Sequence, residues 1–498
     1  MGKKVLVVGG GVSGIATATY LQKNGYDALV LEKNPVLGGA CMGWERQGCH
    51  IDGCIHWLVG ANPNSPTYKL WEETGALTPE IEIYNIDNFC AVDFGDGKVI
   101  SMWADLERFE RELVAFAPED EKEIKKLCKL IKRFERINAP CEKPADLMNL
   151  GDLIKIAFSM AGDYLLVEKY SKVDCKDYAK KFKNPYVRRW IAEQVIANYN
   201  FMTFLFMFAH CTSKDGGIPI GGSLEMVKRM TAYAESLGAK FMSGVEVEKI
   251  DVEDGKAVGV TLKNGEKLTA DWVVSATPAE YTLKNLLGGK YQVKSVEERV
   301  KDRKVYPVYT FTTAVFKVNA EVSDHPISHK IYVDEPIIME KEHFAATFRN
   351  YSYDKTLKVP QGCSVVQGAL GGNDNMYFWW KNVKEQGDYK AKKQEIAQKI
   401  LKIYLTRYPH LKDKIEIIDV ITPLTYQRYL NGRNGSFQGF VHTAKGKSMM
   451  QKGEIKGLKN FIFSGQWLIS VDGLPPAAMT GKFAVQRICK HDGVKFKA

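Results

Sequence analysis

The stretch Met1–Glu32, MGKKVLVVGGGVSGIATATYLQKNGYDALVLE, decides the fold. Val5-Leu6-Val7-Val8 is a short apolar run of the kind that forms a buried parallel strand. Gly9, Gly11 and Gly14 follow at once in G-x-G-x-x-G spacing. Ile15–Lys23 predicts a helix with Ile15, Ala18 and Leu21 toward one side, and Ala28–Leu31 predicts a second strand ending on Glu32. Gly9 permits the tight turn out of the strand. Gly11 lets a pyrophosphate approach the backbone, and Gly14 lets the helix pack closely on the strand. Val12 and Ser13 stand at the helix N-terminus, where free N–H groups and the positive dipole end suit phosphate. Glu32, 18 residues past Gly14, is placed to accept hydrogen bonds from a ribose hydroxyl pair. G-x-G-x-x-G alone is a weak signal; here strand, helix, second strand and acid all follow in order. Together they predict a bound dinucleotide without saying which.

The chain has 498 residues, enough for two or more domains. Its 45% hydrophobic and 26% charged content is ordinary for a soluble globular protein. The net charge of +10 permits attraction to an anionic membrane surface without requiring it. No nucleic-acid motif appears, so no nucleic-acid partner is expected. The ten cysteines contain no C-x-x-C pair and read as reduced thiols of a cytosolic protein. Cys49 and Cys54 stand in C-x-x-x-x-C spacing, with Cys41 nearby, which leaves a redox pair as a weaker alternative; no spacing matches zinc, and no metal site is expected. No apolar run reaches membrane-spanning length and no signal peptide is read. The expected location is therefore cytoplasmic, with peripheral membrane association left open.

Downstream, Gly38-Gly39-Ala40 follows Glu32 and Lys33 and offers bare backbone to a bulky group. Residues 68–210 read as mostly helical. Ile124, Leu127, Leu130, Ile131 and Phe134 form an apolar stripe amid lysines, read as core-facing in preference to membrane-surface. Ile154, Ile156, Phe158 and Met160 belong to an apolar stretch that either touches lipid or roofs a pocket. The Phe- and Met-rich run 201–208 is equally suited to core and to a tunnel for an apolar substrate. Gly216–Ser223 returns the chain to the nucleotide domain. It is followed by a helix, a strand at Val245–Ile250, a hairpin through Asn264-Gly265 and a buried strand ending at Ala276. From 287 to 429 strands alternate and predict a mixed sheet; the cluster Tyr377-Phe378-Trp379-Trp380 is read as core. The final block, Gly457–Ile488, carries a strand with a glycine exit at Gly465-Gln466. Gly473-Leu474-Pro475-Pro476-Ala477-Ala478 then opens a helix with prolines where a missing N–H is tolerated.

The strand-GxGxxG-helix-strand-Glu array, the Gly38-Gly39 pair and Asp52-x-x-x-His56 resemble the flavin-dependent amine oxidase superfamily. Within it, the resemblance is to the phytoene desaturase, carotenoid isomerase and retinol saturase branch. It implies an α/β fold: a Rossmann-like FAD-binding domain of the glutathione-reductase type, amine-oxidase-like, with a mixed-sheet substrate domain and a helical cap. The FAD-binding domain is expected at 1–67, 216–288 and 445–498, the cap at 68–215 and the substrate domain at 289–444. FAD is the implied cofactor, with Val247 meeting the adenine and Gly465–Ala478 the flavin half. NAD(P)H or another electron donor or acceptor is left open. The implied reaction is desaturation, saturation or isomerisation of a carbon–carbon bond in an apolar isoprenoid or related lipid. The alternatives are an amine-oxidase-like enzyme on a smaller substrate, or a non-catalytic flavin-binding lipid carrier. Three positions depart from the pattern. Ala40 stands where an Arg is usual, with Arg46 offered in its place; Cys54 stands for a Gly, and Gln466 for an acid. His56 is the candidate catalytic residue, with Trp44 also expected near the flavin. Oligomeric state is not readable.

Overall fold

A computed structural model describes residues 2–137, 141–194, 199–339, 343–470 and 472–498; the side chains of 153 and 155–161 lie outside the description. Residues Ile156, Phe158 and Met160 of the expected lipid- or pocket-facing stretch are thus on a helix whose side chains are not described there.

Five parallel strands form the central sheet, in the order Lys240–Ser243, Asp27–Glu32, Lys4–Val8, Trp272–Ser275 and Phe461–Phe463. They come from three distant parts of the chain. Alternation along Lys4–Val8 explains why this strand lies at the centre. Val5 and Val7 enter one apolar core, with the helices Val12–Lys23 and Leu474–Asp492, while Leu6 and Val8 enter a second. A strand apolar on both faces needs a layer on each side. The second face is covered by an antiparallel sheet of Val247–Glu253, Lys256–Leu262 and Lys267–Thr269, with the expected Asn264-Gly265 turn between the last two.

The other large element is a seven-stranded sheet, ordered Ile415–Ile421, Thr310–Val318, Ser364–Gly372, Ala345–Asn350, Ser328–Tyr332, Asn88–Asp93 and Val99–Trp103. All neighbours are antiparallel except Ser328–Tyr332 against Asn88–Asp93. The last two strands lie in the stretch read as mostly helical, and they extend the substrate sheet. Their short runs, NFCAVD and VISMW, carry the β-branched and aromatic residues that favour strands. One face, with Ala314, Phe316, Phe348, Val366 and Leu370, packs against the helices Asp374–Glu385 and Tyr389–Leu405. The opposite face carries Phe311, Arg349 and Gln367, which follows from the two-residue period of a strand. Within the aromatic run 377–380, Tyr377 and Trp380 are buried, while Phe378 is exposed.

Helix Glu121–Phe134 buries Ile124, Leu127, Ile131 and Phe134 and turns its lysines to solvent, a core-facing helix. Helix Phe201–Thr212 buries Phe201, Met202, Phe204, Leu205 and Phe208. Its rings pack against Trp190 and Tyr178, so this run is packed core and not an open tunnel wall. Helix Leu150–Ser171 leaves Leu150, Ile154, Tyr164 and Leu165 exposed. No helix among the described residues is long and apolar enough to cross a membrane.

Candidate functional site

A cleft enclosing about 1020 Å³, counting its open mouth, runs along the C-terminal ends of the parallel strands. Parallel α/β sheets present ligands at this edge. Gly9, Gly11, Val12 and Ser13 line its floor, and Glu32 and Lys33 line one end. Gly38, Gly39 and Ala40 fold over the glycine loop, held by Gly38 N–H donating to the Gly10 carbonyl at 2.8 Å. Val247 and Ala276 form the far wall; Gly465, Gln466, Gly473 and Leu474 enter from the C-terminal block.

Three of the predicted cofactor-binding residues do not line the cleft. Gly14 faces away, and a side chain there would collide with the Gly9 carbonyl, so it serves helix–strand packing as its position in the motif requires. Pro475 and Ala478 are turned aside by helical rotation. Leu474 and Ala477, three apart, share the cleft face, while Ala478 is fully buried.

The cleft is shaped for a dinucleotide. Gly11 lines it, yet a Cβ added there would meet nothing in the protein closer than 3.8 Å. The glycine is therefore required not by the protein's own packing but by room for a group approaching the backbone. Gly465 and Gly473 also have no neighbour of an added Cβ within 3.8 Å, but there the backbone itself, with φ of +122° and +117°, calls for glycine. The helix Val12–Lys23 has no side-chain cap, so its first N–H groups are left for a ligand. Glu32 is pre-set: Gly10 N–H donates to Oε2 at 2.8 Å, and the Asn34 backbone N–H and side-chain amide donate to Oε1 at 2.8 and 2.7 Å. Each carboxylate oxygen retains lone-pair capacity toward a ribose hydroxyl. Gln466 is also committed, donating from Nε2 to the Phe437 carbonyl at 2.9 Å and accepting from Gly473 N–H at 2.9 Å. An ionised acid could not make the first bond, which accounts for the glutamine.

Several cleft residues carry no obvious sequence signal. Thr277, Tyr281 and the segment Tyr429–Gly432 also line the cleft. Lys33 Nζ donates to the Arg428 carbonyl and Asn431 Oδ1, both at 2.8 Å, tying that segment down. The readable trace was Asn431-Gly432, since Asn431 is the left-handed cap of helix Pro423–Leu430 with φ of +54°.

Phe437 stands where the cleft ends and a second space begins. Its ring stacks on Phe311 at 5.1 Å and lies 5.6 Å from Tyr309 and 5.4 Å from Tyr426. Behind it Arg349, Tyr309, Tyr353, Tyr426 and His56 are surrounded by protein yet keep accessible surface, which marks an internal chamber. His56 is thus outside the cleft and inside the chamber. Burial, then the charge of Arg349, hold its pKa well below the usual histidine range, so it is a neutral imidazole. Asp52 positions it. That buried carboxylate accepts from the Ser223 backbone at 2.6 Å, the Ser223 hydroxyl at 2.7 Å and Cys54 N–H at 3.0 Å. Asp472, unnoticed in the sequence, has a buried Oδ2 without a partner among the described residues, and burial raises its pKa to about 7.

Two expectations are corrected. Arg46 is 53% exposed, pairs with Asp419 at 3.2 Å and does not line the cleft, so it does not replace the missing arginine at position 40. Trp44 donates from its indole to Asp419 at 3.0 Å and packs beside Cys49 and Ile51, away from the cleft; its strand pairs Trp44 with Ile51 and not with the glycine loops. Cys49 lies buried in that small core, whereas the neighbour of Cys54 is Cys41. The Cys54 thiol, then burial, hold the Cys41 thiol well above its usual range, so Cys41 is not a ready thiolate.

Residues 12–287 match the family described as flavin-containing amine oxidoreductase. The chain belongs to this family. Members of the flavin-containing amine oxidoreductase family are FAD-dependent oxidoreductases, and the cleft fits that cofactor. Among relatives, a Paracoccus phytoene desaturase (lycopene-forming) is 22% identical, covering 87% of this chain and 86% of its own. The prolycopene isomerase of Daucus carota is 24% identical over 94% of this chain and 75% of its own. A 4,4'-diaponeurosporene oxygenase of Staphylococcus aureus is 22% identical over 98% of each. Among solved structures, an oxidoreductase from Methanosarcina mazei superposes with a TM-score of 0.60 at 16% identity, covering 98% of this chain and 100% of that one. Cyclohexylamine oxidase from Brevibacterium oxydans gives 0.58 at 13%, covering 99% and 100%. These likenesses share the α/β flavin fold.

Proposed function

We propose that this FAD-dependent oxidoreductase acts on a carbon–carbon bond of an elongated polyene or related lipid held in the chamber behind Phe437. The observation that carries the reading is the continuous aromatic wall of Phe437, Phe311, Tyr309 and Tyr426, which leads from the cleft to the interior. Rings of this kind hold a conjugated chain and keep water away. The relatives named above as desaturase and isomerase support the substrate class. Bound FAD supplies two-electron acceptance or donation at carbon.

The chain's own residues do the rest. Gly11, Val12 and Ser13 would cradle the pyrophosphate, and Glu32 the ribose. Phe437 and Tyr309 orient the substrate toward the Gly465–Leu474 side of the cleft. His56, neutral, can accept a proton at a ring nitrogen, and Asp472 holds a proton on its carboxyl up to about pH 7. The exposed Leu150, Ile154, Tyr164 and Leu165 support docking on a lipid surface from which an apolar substrate is drawn. An amine substrate is disfavoured, because its ammonium would meet the positive charge of Arg349. Anaerobic titration of the purified holoenzyme with lycopene-type polyenes, in both flavin redox states, tests the reading. Bleaching or recovery of the flavin spectrum is expected. Response to amines and not to any polyene would overturn it.

A further inference from the structure

Arg349 differs from every other buried arginine described. Arg299 donates to the Ser295 and Lys447 carbonyls. Arg433 pairs with Glu280, Arg487 with Asp146 and Arg229 with the Ala76 carbonyl. The Arg349 side chain makes no hydrogen bond or ion pair with any described residue, although protein surrounds its guanidinium on all sides but the chamber. The largest electrostatic influences on it after burial come from Tyr351, Cys90, Tyr353 and Tyr309, none of them a carboxylate. The strand pattern fixes where it points. Ala346, Phe348 and Asn350 face the helix-covered core, so Arg349 faces the chamber, opposite Gln367 across the ladder. Tyr309 links it to the cleft, since the same ring packs on Phe437.

A buried guanidinium without a counter-ion is costly to keep charged, and truncating it would be tolerated unless a ligand completes it. A second cation lies on the same sheet face, Lys330, two residues along the paired strand from Ser328, which lies opposite Arg349. Its ammonium is already tied to the Glu193 carbonyl. One free planar fork therefore remains. A fork matches the two oxygens of a carboxylate, and a diphosphate would call for a cluster of cations that the chamber lacks.

We infer that Arg349 forms a carboxylate-binding subsite at the inner end of the chamber, so that the substrate is an apolar chain ending in a carboxylate. This rests on the chamber being the substrate site, as proposed above. The guanidinium anchors the polar end, and the aromatic wall lays the chain back toward the cleft. Position along the chain is then set by the distance from carboxylate to reacting carbon.

The test compares all-trans-retinoate with its methyl ester, and benzoate with methyl benzoate, as ligands of the holoenzyme by flavin spectral perturbation. The wild type is expected to bind each acid about tenfold or more tighter than its ester. Arg349→Gln is expected to bring the acids down to the esters while leaving the esters within about twofold; Arg349→Lys, keeping the charge but not the fork, should retain part of the preference. Equal binding of acid and ester by the wild type overturns the inference and needs no variant. Arg349→Gln weakening acid and ester alike, with flavin content and melting temperature unchanged, overturns it too. If neither retinoid binds but benzoate does so through Arg349, the polyene reading falls and the carboxylate subsite stands. If both retinoids bind without preference for the acid, the polyene reading stands and the subsite falls.

Discussion

The cleft and the chamber meet at Phe437 and are built on opposite terms. In the cleft the polar side chains are already bonded to the protein: Glu32 to Gly10 and Asn34, Gln466 to Phe437 and Gly473, Lys33 to Arg428 and Asn431. In the chamber they are not. Arg349 and His56 make no hydrogen bond with described residues, and the Tyr351 hydroxyl and Asp472 Oδ2 are buried without partners. A satisfied site is pre-organised and can hold one cofactor permanently. An unsatisfied one is stable only at a cost that the right ligand removes. The difference separates what the whole family needs from what this chain selects.

Four substitutions probe that contrast. The largest effect is expected from Gly11→Leu. Its Cβ meets no protein atom closer than 3.8 Å and the side chain enters the space left for the pyrophosphate, so flavin absorbance per chain should vanish; a melting transition of the apoprotein checks that it still folds. A flavin-replete Gly11→Leu protein would break the assignment of the cleft. Glu32→Ala should weaken FAD retention on dialysis by about ten- to a hundredfold, the loss of one or two charge-assisted hydrogen bonds; retention equal to wild type would contradict the ribose role. Asp472→Asn bears on the chamber side and on pH. Burial raises the folded carboxyl to about pKa 7, above its value of about 4 in an unfolded chain. Below pH 4 both states are protonated. Between about 4 and 7 the unfolded chain ionises first, so apoprotein stability falls as pH rises through this window, by at most about 4 kcal/mol, and then levels off. The asparagine variant should lose that slope in urea titrations at stepped pH; an unchanged slope would show that another group causes it. The smallest effect belongs to Arg46→Ala. An exposed ion pair is worth at most about 1 kcal/mol, and flavin content should not change.

The same division governs what could be read in the sequence. The glycine loop, its strand, the acid at 32 and the C-terminal Gly-Leu-Pro-Pro block are local patterns in which one backbone requirement dictates each residue, and all are legible. The strands of the substrate sheet are legible too, by alternation. Asn88–Asp93 and Val99–Trp103 escaped because they are short strands inside a helical stretch and gain their place from a sheet more than 200 residues away. Arg46 and Trp44 were misplaced because nearness in sequence to Gly38-Gly39 does not survive the turn of strand Gly43–Arg46 toward Asp419. Arg349 and Asp472 gave no signal at all. An arginine in an alternating strand looks like a solvated one until the helical cap covers its face, and their meaning is set by what surrounds them in three dimensions.

The parallel sheet also has a consequence for the order of events in synthesis. Its first strand leaves the ribosome within the opening residues, but the neighbour of Trp272–Ser275 is Phe461–Phe463, and Ser13 meets Ser464 hydroxyl to hydroxyl at 2.7 Å across 451 residues. The helix Leu474–Asp492 then closes on Val12–Lys23. Nascent chain can form the glycine turn early, yet it has no finished pocket in which to keep a flavin until the last helix has emerged. Cofactor capture therefore reports completion of the polypeptide: a chain stalled before residue 461 stays colourless, presents an unpaired sheet edge, and is open to proteolysis in a way the full-length holoprotein is not.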